Sequence, residues 1–343
     1  MTVQNIKVQN FKSFKELDVD LRPLNIVIGA NAAGKSNFLE IFRFARDVEE
    51  YGLENAVSLQ GGMPYLANLK LAEKATLVVM PVKGLSTRQT DTVVVDASWY
   101  LGLKASPEPP GFQVLLDERY AEAEQGTPRF SKLSLRDEIS IFDFDPKLPK
   151  KATPITGKAD LEPDGSNLAI VLRNLLQNEE SRKQLTLILR DLLPFVADLK
   201  VDRFADKSLL ISLKESFADG SYLPASFLSD GTIHLTALIL ALYFDKAPVV
   251  IIEEPERNIH PHLISKVAAM LVDASKKKQV IVTTHNPELV KHARLEDLLL
   301  VQRDAEGFSR ISRPAENAQL RVFLENDLGV DELYVQDLLG VGE

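Results

Sequence analysis

Apolar positions at Ile6 and Val8, then at Leu17, Val19 and Leu21, alternate with polar ones as they do in paired strands, and Pro23 ends that unit. Residues 24–28 are apolar except Asn25, close to the pattern of a strand buried on both faces. This run leads straight into Gly29, beyond which Phe38, Ile41, Phe42 and Ala45 recur on one face of a helix. From about Lys74 to Phe144 the character changes. Strand-like segments 92–100, 112–119 and 139–144 are separated by turn-rich pieces, SPEPPG and EQGTP, which predicts an antiparallel β insert. Helical stretches follow at 167–177 and 181–193, then a strand around 209–213. The last third reads helix 232–245, strand 248–252, helix 262–275, strand 279–283, the rhythm of a parallel sheet covered by helices. The fold class is therefore α/β, with an antiparallel β subdomain and a helical lobe. No internal repeat, low-complexity tract or sustained heptad pattern is present, so a long coiled coil is not expected.

Three motifs carry chemistry. Gly29-Ala-Asn-Ala-Ala-Gly34-Lys35-Ser36 matches the phosphate-loop pattern G-x-x-x-x-G-K-[ST] and stands between a buried strand and an amphipathic helix, the context it needs. Such a loop turns successive N–H groups inward on phosphates, which demands glycine where side chains would collide. Lys35 is then placed to bridge the β- and γ-phosphates of ATP, and the Ser36 hydroxyl to hold Mg²⁺. Val249-Val-Ile-Ile-Glu253-Glu254-Pro255-Glu256 is an apolar strand ending in carboxylates, where ligands bind in open α/β sheets. Glu253 is assigned to the metal and Glu254 to the general base; alone, the segment also reads as a solvated acidic turn. The strand at 279–283 runs through Thr284 to His285, which is either a hydrogen-bonded turn residue or a contact to the γ-phosphate or the attacking water. His260 and His262 lack companions at ligand spacing, so no zinc site is expected.

Leu228-Ser-Asp-Gly-Thr232 precedes a long apolar helix. Ser229, Asp230 and Thr232 are good capping residues, and the segment equally reads as a second anion site formed by Ser229 and the Gly231 backbone. With a phosphate loop already in the chain, that second site would serve ATP held by another copy.

Composition narrows the picture. The 343 residues, 45% hydrophobic and 26% charged, suit one large domain or two lobes sharing a sheet. The absence of cysteine excludes disulfides, thiolate metal sites and a cysteine nucleophile. The opening MTVQNIKVQNFKSF has no apolar core of a signal peptide, and no apolar run approaches the roughly 20 residues that span a bilayer. Residues 235–244, the longest such run, read as a buried helix, and a cytoplasmic protein with no membrane partner is expected. The net charge of −9 gives no general attraction to DNA. Two basic spots, Lys147 with Lys150 and Lys151, and Lys276 with Lys277 and Lys278, read as solvated loop or helix-end groups. A DNA groove would have to be local or assembled by oligomerisation.

In this order, phosphate loop, LSDGT, IIEEPE and TTH, with a large insert before LSDGT, resemble an ABC-type ATPase head, a P-loop NTPase fold. The wording NFKSF, LSDGT, EEPERNIHP and VTTHNPELV is similar to RecF-like, OLD-like and SMC-like ATPases over nearly the whole chain, least so in the β insert. The resemblance implies a single head over 1–343. Its segments are 1–60 (strands, phosphate loop, first helix), 61–160 (β-rich insert), 161–225 (helical lobe and strand) and 226–343 (the remaining motifs). It implies that two heads sandwich two ATP molecules, with Ser229 and Gly231 acting in trans. It adds Lys12, Asn31 and Asn37 to a nucleotide-binding set of Gly29, Gly34, Lys35 and Ser36; Lys12 stands where relatives often carry arginine. Glu253 replaces an aspartate common in ABC proteins and Asp230 a glycine, and Gln60 is the candidate for a glutamine lid. OLD-type nucleases carry a further C-terminal Toprim domain, for which too few residues follow His285, so nuclease or effector activity is expected in a separate polypeptide. Two functions follow as expectations: an ATPase that dimerises on DNA in repair, maintenance or phage defence, or an ATP-gated scaffold controlling a separate effector. The insert and motif wording disfavour a transporter subunit, and no second substrate site suggests a small-molecule kinase.

Overall fold

Every residue of the strand Leu24–Ile28 (β4) is buried, including Asn25. The polar break is tolerated because Asn25 folds onto Arg22, accepting from its N–H at 3.0 Å and donating to its carbonyl at 2.6 Å. The computed structural model describes residues 2–71, 76–88, 91–106, 112–123, 138–155, 158–204, 207–217, 220–317 and 330–335. The EQGTP turn, and the SPEPPG turn beyond Ser106, lie outside the described residues.

The chain forms two compact units. The first comprises Met1–Ser140, Ala247–Ile251 and Ser275–Glu343, the second Ile141–Lys246 and Ile252–Ala274. These units interleave along the chain.

In the first unit, β4 is flanked in the order β16-β15-β4-β14-β13-β8, with β8 Ile139–Phe142, β13 Val249–Glu253, β14 Gln279–Thr283, β15 Leu298–Arg303 and β16 Ser309–Ser312. Both β14 and β15 run parallel to β4. Val280 N–H donates to Pro23 O at 2.8 Å and Gln279 N–H to Pro248 O at 2.7 Å, so β4, β13 and β14 set out level with one another. All five residues of β14 are buried, as the apolar run required. The second sheet of this unit has the order β3-β2-β5-β6-β7, with β1 on β5; its strands are β1 Thr2–Val3, β2 Asn5–Phe11, β3 Phe14–Asp20, β5 Thr76–Arg88, β6 Asp91–Ala105 and β7 Phe112–Ala123. The predicted insert is thus antiparallel, but β2 pairs β5 directly (Lys7 opposite Val79), so insert and N-terminal hairpin are one sheet. The segment at 139–144 departs from its reading as part of the insert: β8 is the neighbour of β13, and Val249 N–H donates to Glu138 O at 3.1 Å. Buried Gln279 links the two sheets, its side chain exchanging hydrogen bonds with the Val3 N–H at 2.8 Å and Val3 carbonyl at 2.9 Å. Helix α1, Lys35–Tyr51, buries Phe38, Ile41, Phe42 and Ala45, the stripe read from the sequence, together with Leu39, Phe44 and Val48. Short helices α2 Leu53–Leu59, α3 Met63–Leu66, α8 Pro287–Lys291 and α9 Val330–Val335 complete the described part.

In the second unit, α4 Leu168–Leu176 and α5 Glu179–Leu192 fall where the periodicity placed them. They are followed by an antiparallel sheet β10-β11-β12, with β9 Thr153–Pro154 on β11. Sequence reading found β11 (Ser208–Glu215) and missed β10 (Val196–Phe204). In β10 only Val196 and Leu199 are buried and Asp202–Phe204 are exposed, so its hydrophobic alternation is weak. Strand β12 is Tyr222–Pro224. Helix α6, Asp230–Ile239, is regular only to Ile239, and the rest of the expected helix widens into a π-helical turn over Leu240–Phe244. Helix α7, Pro261–Ala274, buries Leu263, Ile264, Val267 and Leu271.

Candidate nucleotide site

Four features hold the phosphate loop in the first unit. At Gly29 the backbone has φ 149°, and a Cβ would lie 2.2 Å from the Val301 carbonyl of β15, so only glycine lets the loop pass that strand. Ala32 adopts left-handed backbone at φ 61°. Gly34 caps α1 at φ 122°, where a Cβ would meet Ser309 Oγ at 2.3 Å and Ser13 Oγ at 2.9 Å. Arg303 donates from Nε to Ala32 O at 3.1 Å and from Nη1 to Gly307 O at 2.7 Å.

Helix α1 begins with neither a side-chain cap nor an acidic residue in its first turn, so its positive end faces the loop uncompensated. Lys35 Nζ lies over the loop, donating to Gly29 O at 2.8 Å and Ala30 O at 3.1 Å. Asn31 and Ser36 are exposed. Asn37 donates to Ser13 Oγ at 2.8 Å, and Ser309 Oγ, which donates to the Ala33 carbonyl, lies 2.8 Å from Ser13 Oγ. Asn37 therefore braces the loop. Ser13, Arg303 and Ser309 were given no role by sequence reading: Ser13 lies in NFKSF, where only Lys12 was singled out, while Arg303 and Ser309 belong to no motif and reach the loop through β15 and β16.

Beside the loop, an open cavity of about 750 Å³ is lined by Lys12, Asn37, Gln60, Tyr65, Arg303 and Phe308, among others. Lys12 sits in left-handed backbone at φ 46°, its Nζ 3.9 Å from the Glu40 carboxylate. Burial lowers its pKa below the usual lysine value, against the opposing pull of Glu40. Gln60 thus shares a cavity with Lys12 and Asn37. His285 leaves β14 exposed, after the fully buried Thr284. Asn286 then caps α8, accepting from Glu288 N–H at 2.9 Å.

The other motifs belong to the second unit. At the end of β13, Glu253 and Glu254 are partly buried, and Glu254 has φ 45°. Arg257 donates from Nε to Glu254 Oε2 at 3.2 Å and from Nη1 to Asp143 Oδ1 at 2.9 Å. Pro255 O lies 3.0 Å from His234 Nε2 of α6. A carbonyl only accepts, so this nitrogen carries the proton. His234 is buried, its Nδ1 has no hydrogen-bond partner among the described residues, and burial holds its pKa down at about 4. Phe144 packs edge-on against the imidazole at 5.8 Å.

Ser229 is the N-cap of α6: its Oγ accepts from Thr232 N–H at 3.1 Å. Gly231 packs so closely on the turn after β13 that a Cβ would lie 2.6 Å from the Asn258 carbonyl. Asp230 is ion-paired with Lys150. This revises the reading of Lys150 as a solvated loop lysine, and it balances the negative charge that Asp230 adds beside Ser229. His260 and His262 meet Nδ1 to Nδ1 at 2.7 Å, and no group of three or more metal-ligating side chains occurs among the described residues.

The mixed sheet, the loop between β4 and α1 and the carboxylate strand define a P-loop nucleotide-binding head of the ABC type. Known folds agree. An SMC head bound to the C-terminal winged-helix domain of ScpA matches with a TM-score of 0.61 at 16% identity, over 91% of this chain and 98% of that one. An SMC head with an extended coiled coil, bound to the C-terminal domain of ScpA derived from Pyrococcus furiosus, matches at 0.55 and 14%, over 95% and 100%. The chain belongs to the family described as "AAA domain, putative AbiEii toxin, Type IV TA system", whose model matches residues 24–291. Among curated relatives, endonuclease GajA of Bacillus cereus is 22% identical over 84% of this chain and 56% of its own length. The DNA replication and repair protein RecF of Lactobacillus acidophilus is 51% identical over 45 residues, 13% of this chain and 12% of its own. A protein of Methanocaldococcus jannaschii is 29% identical over 26% of this chain and 24% of its own length. The chain thus spans about half of GajA and a quarter or less of the other two. It is an ATPase-family head, similar in sequence to GajA and RecF and in fold to SMC heads. No helix among the described residues is long and apolar enough to cross a membrane.

Proposed function

We propose that this chain binds Mg²⁺-ATP, hydrolyses it to ADP and phosphate, and pairs with a second copy around the nucleotide, in DNA repair, maintenance or defence against phage. The observation that carries the reading is the phosphate loop, with Gly29 and Gly34 at positions no other residue fits and the Lys35 ammonium held over the loop carbonyls. Lys35 and the loop N–H groups would take the phosphates and the cavity beside Lys12 the nucleoside, for which about 750 Å³ is ample. Ser36 and Glu253 would hold Mg²⁺: both offer hard oxygen, and Mg²⁺ needs few protein ligands when phosphates and water complete its shell. The ion supplies charge neutralisation at the phosphates. In the chemical step Glu254 takes the proton of a water whose oxygen bonds the γ-phosphorus. The bond from that phosphorus to the bridging oxygen breaks, and ADP leaves with the electron pair. His285 would orient that water or contact the γ-phosphate, and Ser229 and Gly231 would serve ATP held by the partner copy. The Lys150 pair at Asp230 supports the last role, because it removes a repulsion that an anion would otherwise meet.

The test is light scattering after gel filtration on wild type and Glu254→Gln, each with and without Mg²⁺-ATP. The variant is expected to pair only with ATP, since it keeps the nucleotide it cannot hydrolyse. A variant that binds ATP yet stays monomeric sinks the paired model and leaves LSDGT as a helix cap. The net charge of −9 favours a second reading, in which the ATP state controls a separate effector protein, DNA being held weakly or not at all.

A further inference from the structure

We infer that Arg257 is a positioning residue for Glu254, fixing the carboxylate of the proposed base while Asp143 fixes Arg257. The inference rests on the reading of Glu254 as the base. The main chain around Glu254 is already constrained. Glu254 is in left-handed backbone at φ 45°, which few side chains adopt without a reason, and the ring of Pro255 restricts the next φ. The Pro255 carbonyl is in turn held by buried His234 at 3.0 Å. Arg257 touches the side chain of Glu254. Its Nε approaches Oε2 at 3.2 Å, while Nη1 of the same planar group bonds Asp143 Oδ1 at 2.9 Å. Because guanidinium donors are fixed relative to one another, the bond to Asp143 sets the direction in which Nε points, and so where it holds Oε2 of Glu254. Arg257 is half-exposed between the two carboxylates, and their charges together raise its pKa against the lowering effect of burial. Asp143 lies 114 residues from Arg257 in the chain, so no motif contains the clamp.

Arg257 need not touch nucleotide in this role; it acts through Glu254. Its loss should therefore lower kcat and leave nucleotide affinity alone. Turnover at saturating Mg²⁺-ATP, over a tenfold range of protein concentration, and affinity for a fluorescent ATP analogue should be measured for wild type, Glu254→Gln, Arg257→Gln, Arg257→Lys and Asp143→Asn. Expected are an inactive Glu254→Gln and a kcat about tenfold lower in Arg257→Gln, a part of what a general base contributes. Affinity should be unchanged within about twofold. Asp143→Asn should show a smaller loss of the same kind, and Arg257→Lys a partial recovery, because a lysine keeps the charge but not the fork. If Arg257→Gln does not fold, the other two variants carry the test. Unchanged or raised kcat in the Arg257 and Asp143 variants, beside an inactive Glu254→Gln, overturns the inference. Wild-type turnover by Glu254→Gln, or none by wild type, removes instead the reading on which it rests.

Discussion

Lys12, Ala32 and Glu254 all adopt left-handed backbone, at φ 46°, 61° and 45°. Each lies in or beside a motif read from the sequence, and such conformations persist only where surroundings over-determine them. For Lys12 the surroundings are two main-chain bonds, its N–H to Leu66 O at 2.8 Å and its carbonyl to Asn68 Nδ2 at 2.7 Å. Gly34 shows the same logic where a side chain is forbidden. Gly34→Ala would have to adopt φ 122° and push Ser309 Oγ from 2.3 Å, so the substitution is expected to cost about 1–3 kcal/mol and to abolish ATP binding. Urea melts and binding of a fluorescent nucleotide check both, and wild-type behaviour in both would contradict the loop geometry.

At the level of elements, α6 links two motifs. Its first turn holds Ser229 as cap and Gly231 against Asn258, and its second presents His234 to Pro255. The buried imidazole also makes the helix sensitive to acid. Its folded-state pKa of about 4 lies below the ordinary 6.5, so between these values the unfolded chain takes up a proton that the folded chain refuses. Its contribution is thus present above about pH 6.5 and is lost as pH falls towards 4, by up to about 3 kcal/mol. Urea melts of wild type and His234→Asn at pH 7, 5.5 and 4.5 should show the variant less stable at pH 7 and the gap closing with acid. A gap independent of pH would mean that His234 titrates normally.

For the whole molecule, charge governs what an encounter with DNA looks like. At a net charge of −9 the nucleotide-free chain is expected to retain no duplex DNA at an ionic strength of about 0.15 M. If pairing assembles a basic groove, Glu254→Gln with Mg²⁺-ATP should retain duplex, with an affinity that falls steeply as salt rises. Filter binding across a salt series checks this. Retention by the nucleotide-free chain would contradict the charge argument, and none by the ATP-bound pair would favour the effector-controlling reading. The first unit also gathers Lys15 and Lys70 around the Phe308 ring, at 5.4 Å and 5.3 Å, so cations do cluster locally despite the overall sign.

The sequence by itself determined what depends on short stretches of chain. The run 24–28 followed by Gly29 had to be a buried strand entering a phosphate loop, the stripe of Phe38, Ile41, Phe42 and Ala45 had to be a helix face, and β14 was read to the residue. Each is set by local periodicity or by a backbone shape only glycine permits. What crosses the chain was left to tertiary structure. Periodicity reports that 139–144 contains a strand but not which strand it pairs, and β8 joined β13 rather than the insert. A half-exposed strand such as β10 buries too little to mark itself. Ser309 and Arg303 reach the phosphate loop through β15 and β16, and Asp143 reaches Arg257 across 114 residues. No spacing rule encodes such contacts, because they follow from where the sheet sets each strand, and pairing partners are chosen by the packing of the whole fold.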